Sequence, residues 1–214
     1  MLRVGLGGIP FALLLISLLV VAAIGGTFLI VRLGQTLLGN SAYAESSAGL
    51  RLYVSLNSSV LGIGQSVNIS IQEYNPLARS VNISSSNRWP ASGLSLGPCG
   101  TLNFPMGLEV YAGYLTRSNV FLEIPLPLYS PGARFCPMIL SYIQYFIFQP
   151  ETDAVQVFGS CTPNPCITIP MATHLSVGGF WLASIYVNFP PGIYTVAAGD
   201  EWGSMVLPHF TVTF

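Results

Sequence analysis

SVNISIQE, from Ser66 to Glu73, alternates polar and apolar residues. Val67, Ile69 and Ile71 fall on one phase; Ser66, Asn68, Ser70 and Gln72 fall on the other. A strand sends successive side chains to opposite faces, so the stretch reads as a half-buried strand. Asn75-Pro76 ends it, because the residue before a proline is biased toward a turn or extended exit. The same period recurs on both sides. Leu50, Leu52, Val54 and Leu56 share one face of LRLYVSL. In SVNIS, Ser80 to Ser84, Val81 and Ile83 turn inward and Asn82 outward.

Downstream, strands are expected at Leu108 to Leu115, Val120 to Ile124, Leu140 to Phe148, Ala154 to Phe158, Ile167 to Met171, Ser184 to Phe189, Ile193 to Ala198 and Phe210 to Phe214. Turns fall at Asn57-Ser58-Ser59, Gly62 and Gly64, Pro131-Gly132 and Pro191-Gly192. Pro125 and Pro127 push their segment to an edge or out of the sheet. SYIQYFIFQ, Ser141 to Gln149, carries large apolar groups on both phases and reads as a central strand or one that meets a partner. No stretch after Asn40 shows a helical period. Many short strands between Gly, Pro and Asn turns predict an all-β fold, an antiparallel sandwich. One elaborated sandwich is the expectation; two subdomains meeting near Gly100 is the alternative.

Upstream the chain changes character. Val4 to Val31, VGLGGIPFALLLISLLVVAAIGGTFLIV, holds no charged residue. As a helix it reaches about 42 Å, against a hydrocarbon core of about 30 Å. It is also longer than the apolar region of a secretory signal, which favours a retained anchor. Pro10 sits near the start, where a missing N–H costs little. Gly8/Ala12 and Ala22/Gly26 have the spacing of a helix-pairing face. Ala42-Tyr43-Ala44 before Glu45 resembles a cleavage site, and keeps the cleaved-signal alternative open. The expected division is an anchor over 1–40, a tether over 41–48 and an extracellular body over 49–214.

Only 7% of residues are charged and the net charge is −1, against about 25% charged in soluble domains. Lysine is absent. Nothing here supplies the basic field that nucleic acid requires, so that partner class is excluded. A surface this poor in charge needs hydration from attached sugar, or suits a proton-rich exterior. Asn57-Ser58-Ser59, Asn68-Ile69-Ser70 and Asn82-Ile83-Ser84 are glycosylation sequons. Asn68 and Asn82 fall on outward strand phases, where a glycan meets no core atom.

The four cysteines are Cys99, Cys136, Cys161 and Cys166. They allow three pairings. The prolines of CTPNPC make Cys161–Cys166 the local choice and leave Cys99–Cys136. Zinc is the rival, although no C-x2-C pair is present; buried thiols are the plain alternative.

Catalytic patterns are weak. Gly93-Leu94-Ser95-Leu96-Gly97 matches the G-x-S-x-G elbow, with Asp200 and His209 following in order. That motif needs a helix after Ser95, and Pro98 stands in its path. His174, His209, Cys166, Met171 and Met205 include the donor types of a copper site, without its close Cys-to-His spacing. His174 is expected on a surface loop and His209 on a strand. Asp200-Glu201 is expected as solvated turn charge rather than a calcium pair. No catalytic residue, cofactor or metal is assigned.

GQSVNISI, from Gly64, resembles the early strands of immunoglobulin-like prokaryotic surface domains. PGIYTV, Pro191 to Val196, with Trp202-Gly203 and HFTV from His209, resembles their closing hairpin. With the leader and the sequons, the whole is similar to a membrane-anchored archaeal cell-surface protein. The resemblance implies a sandwich and an exterior location, and no catalytic residue. The expected role is structural, adhesive or binding, toward envelope proteins, glycans or copies of itself. The alternatives are a secreted thread subunit, cleaved after Ala44 and donating Leu50 to Leu56 as a strand, and a surface hydrolase using Ser95.

Overall fold

The computed structural model describes residues 40–85, 106–130, 144–159 and 163–214. The unit that starts at Asn40 runs to Phe214, and its described part is all-β. Among the described residues no helix is long and apolar enough to cross a membrane. The apolar segment 4–31 and Ser95 lie outside them, as do Cys99, Cys136 and Cys161.

The period-two stretches become the first sheet. Strands β1 (Ser41–Glu45), β2 (Arg51–Leu56), β4 (Val67–Tyr74) and β10 (Ala172–Val177) pair in the order β1-β2-β4-β10, all antiparallel. Leu52, Val54 and Leu56 of β2 and Val67, Ile69 and Ile71 of β4 are buried on the inner face. Residues 41–48, expected as a tether, therefore contain a paired strand. In SAYAE the small Ala42 and Ala44 pack against the core, and the backbone of β1 pairs with β2 from Ser41↔Ser55 to Glu45↔Arg51. β2 is consequently an interior strand, with a neighbour on each side.

The second sheet runs β14 (Met205–Val206), β13 (Gly192–Asp200), β15 (His209–Thr213), β3 (Val60–Gly62), with β6 (Met106–Ala112) also on β13. β3 ends at Gly62, where a turn is expected. It pairs in parallel with β15, the exception among otherwise antiparallel ladders between the described strands. β13 is buried on both faces. Tyr194, Val196 and Ala198 enter the main core; Ala197 joins a second cluster with Tyr111, Leu115 and Val120. From 120–124, expected as a strand, that second cluster takes Val120 alone, while Phe121, Leu122 and Ile124 are exposed. Here Val120–Leu122 is a single 3₁₀ turn, because the Asn119 side chain accepts the Thr116 N–H at 2.7 Å and curls the chain.

A third sheet, β5 (Val81–Ser84), β7 (Tyr145–Phe148), β8 (Ala154–Phe158) and β9 (Ile167–Pro170), adds Phe146, Phe148, Val155 and Val157 to the same core. β7 lies between β5 and β8, as its two apolar phases require. Asn75 ties this sheet to the exit of β4. Its side chain is fully buried, donates to the Arg79 and Gln149 carbonyls and accepts the Leu77 N–H. The hairpin β11 (Gly179–Leu182) and β12 (Ile185–Asn188) completes the described strands.

Candidate functional site: a tyrosine ladder over a buried carboxyl pair

The outer face of the first sheet follows from the same alternation that filled its inner face. Tyr43 stands opposite Tyr53, Tyr53 opposite Gln72, and Arg51 opposite Tyr74. Three tyrosines from three strands thus adjoin. The Tyr43 and Tyr53 rings lie 5.4 Å apart and tilted; Tyr53 and Tyr74 meet edge to face at 6.2 Å. Arg51 sits over Tyr43 at 5.5 Å and pairs with Glu45 at 3.5 Å. The Gln72 amide donates to Asp153 at 3.0 Å. Ser55, Ser70 and His174 continue the face away from the ladder. His174 is an exposed residue of β10, so the expected surface loop is replaced by a strand. Aromatic edges beside polar donors and acceptors suit ligands that offer hydroxyls and C–H faces.

The sequon asparagines Asn57, Asn68 and Asn82 are all exposed. Asn68 lies on the outer face opposite Ser176, and Asn82 on β5, an edge strand. Asn57 occupies the turn after β2, with its oxygen on the Asn68 N–H at 2.7 Å. Cys166, the cysteine that is described, is disulfide-bonded.

Directly inside the sheet, alternation carries a carboxyl into the core. Glu73 follows Val67, Ile69 and Ile71 on the inward phase and is 0% exposed. Both of its oxygens lack a hydrogen-bond partner. Asp200 ends β13 on the phase of Tyr194, Val196 and Ala198, and is also 0% exposed. Its Oδ1 accepts the N–H groups of Trp202 and Ser204 at 2.8 and 2.7 Å; Oδ2 has no partner. Burial, and then the Asp200 charge, push Glu73 well above the usual carboxylate range. Burial also raises Asp200, and the hydrogen bonds of its turn work against the rise.

Asp200 and Glu201, expected as solvated turn charge, are therefore buried. The turn they occupy is folded back by Trp202, whose indole meets Phe146 and Phe148 edge-on at 5.6 Å and donates to the Ser84 carbonyl. Glu201 accepts the Ser85 hydroxyl at 3.3 Å. The sequence signal for Glu73 was its place in the alternation; Asp200 had none, because β13 is buried on both faces.

His209 starts β15, stacks on Tyr114 at 4.0 Å and lies 3.1 Å from the Leu115 carbonyl. His174 and His209 stand on different sheets. Among the described residues no group of three His, Cys, Asp or Glu side chains is placed to hold a metal ion.

No family model and no curated protein matches the sequence. Among solved structures, the chain is similar over 81% of its length to 15% of a β-glucosidase from Erythrobacter marinus, at 12% identity and a TM-score of 0.35. An overlay that loose carries no argument about fold or activity.

Proposed function

We propose that this chain is a single-pass, membrane-anchored envelope protein whose extracellular all-β body binds or adheres without catalysis. The observation that carries the proposal is the tyrosine ladder of Tyr43, Tyr53 and Tyr74 on an outer face that also presents Ser55, Ser70 and Gln72, with the Arg51–Glu45 pair at its rim. Envelope polysaccharide is the ligand class that such a face suits best. The charge-free segment from Val4 to Val31 supplies the anchor. The exposed sequons Asn57, Asn68 and Asn82 and the disulfide-bonded Cys166 favour an oxidising exterior. Cys161–Cys166 and Cys99–Cys136 remain the preferred pairings.

The finer fold we assign is immunoglobulin-like. Tyr194 supports it: its hydroxyl donates to the Pro190 carbonyl at 2.7 Å, the local bond of a tyrosine corner. A thread subunit is less favoured, because β2 is used in its own sheet, where it pairs with β4 from Arg51 to Leu56 and sends Leu52, Val54 and Leu56 into the core.

Protease treatment of whole cells carrying a C-terminal epitope tests the location. Loss of the epitope with the anchor still in the membrane is expected; protection would overturn the topology. Sedimentation of the purified chain with insoluble envelope polysaccharide tests the face. Tyr53→Ala with Tyr74→Ala is expected to weaken binding by at least tenfold, and equal binding by the variant and the parent would remove the ladder from the proposal.

A further inference from the structure

We propose that Glu73 and Asp200 form a proton lock, which holds the two facing sheets together in acid and opens the turn after β13 when its proton leaves. The geometry sets this up from both sides. β4 and β13 belong to different sheets, and each aims its acid into the one core that the sheets share. Neither carboxyl reaches water, and three of their four oxygens have no partner. An ionised carboxylate in such a place lacks the solvation that water gives it, so at least one of the two must stay neutral.

The two sites are unequal, which decides where the proton sits. Asp200 has two backbone donors on Oδ1 and so is the member that tolerates charge. Glu73 has no donor and keeps the proton. Leu52 stands across from Glu73 on β2, and Met106 across from Asp200 on β6. Both are apolar. Glu201, also buried, lies on the turn itself, and the charge that acts on Glu73 is that of Asp200. Loss of the Glu73 proton to water leaves two like charges in a dry core. The element best able to yield is the turn 200–204, because it is held to the end of β5 and to β7 by side chains: Trp202 against Phe146, Phe148 and the Ser84 carbonyl, and Glu201 on the Ser85 hydroxyl. The lock is independent of the ligand proposed for the outer face.

The test uses the full chain in detergent with Trp89→Phe and Trp181→Phe, so that Trp202 alone fluoresces. Raising the pH is expected to shift Trp202 emission to the red, reversibly, together with loss of one protonated-carboxyl infrared band. Glu73→Gln, which keeps the shape without the proton, is expected to abolish both changes. Identical titrations in Glu73→Gln and its parent would overturn the lock. If Glu73→Gln does not fold, Asp200→Asn decides: the infrared band is expected to vanish at a lower pH, by one unit or more, and an unmoved midpoint would refute the coupling.

Discussion

The Asn57 side-chain oxygen accepts the backbone N–H of Asn68, and the Asn57 N–H in turn donates to the Asn68 carbonyl at 3.0 Å. One sequon asparagine thus closes the strand end from which the other projects. Their substitutions should differ. In unglycosylated material Asn57→Ala is expected to lose about 1 kcal/mol, the worth of an exposed turn bond. Asn68→Ala should stay within about 0.5 kcal/mol of the parent, since an exposed substitution away from special features does little. Urea midpoints of the two variants check the contrast.

Thr195 offers a sharper case. It is fully buried, accepts the Leu115 N–H at 2.9 Å and donates to the Gly113 carbonyl at 2.7 Å. Thr195→Val keeps the volume and strands both backbone groups. A loss of about 2 kcal/mol is expected, with the denaturant slope unchanged.

Trp202 joins the third sheet to the turn after β13. Trp202→Ala removes both edge-to-face contacts and the bond to Ser84. The side chain is only partly buried, so the cost belongs below the usual range for a large core aromatic, at about 2–3 kcal/mol. Thermal unfolding followed by circular dichroism measures it.

Gly179 has no room for a side chain. A Cβ there would run into the Val187 carbonyl oxygen, with the Asn188 Cα 2.8 Å away. Both are backbone atoms and cannot rotate aside. Gly179→Ala is expected to part β11 from β12 at a cost of about 1–3 kcal/mol. Faster amide exchange confined to the hairpin 179–188 would report it.

Stability should respond to pH in two opposing ways. Glu73 is raised in the folded state, so the folded chain holds a proton that the unfolded chain releases. Its stabilisation is complete below about pH 4.3 and is lost as pH rises through the folded value, by up to about 1.4 kcal/mol per unit. His209 is lowered by burial, so its contribution is present above about pH 6.5 and is lost as pH falls through its folded value. It is half-buried, and its effect is the smaller. Unfolding curves of Glu73→Gln and His209→Gln across pH should each remove one of the slopes.

Period two made β2, β4, β5 and β8 legible, because each has one wet face and one dry face. β10 was missed: Ala172–Val177 mixes partial burial on both phases, so its letters do not alternate. β3 was hidden between Ser59 and Gly64, in three residues that only a distant partner, β15, makes a strand. Val120 to Ile124 misled because apolar residues that serve a 3₁₀ turn look like those of a strand. The tyrosine ladder needed the register between three strands, which no local pattern contains. Glu73 could have been found, since the alternation that placed Ile69 and Ile71 inside places it there too.

The parallel pairing of β3 with β15 has a mechanical consequence. The last strand is stitched to the early chain by the Thr211 N–H on Ser59, the register Val212↔Leu61, and the Thr213 hydroxyl on Leu61. Pulling Phe214 away from Val60 draws two strands of the same direction along each other, so these bonds bear tension together instead of unzipping in sequence. Tension applied between these two strands thereby loads their seam in shear.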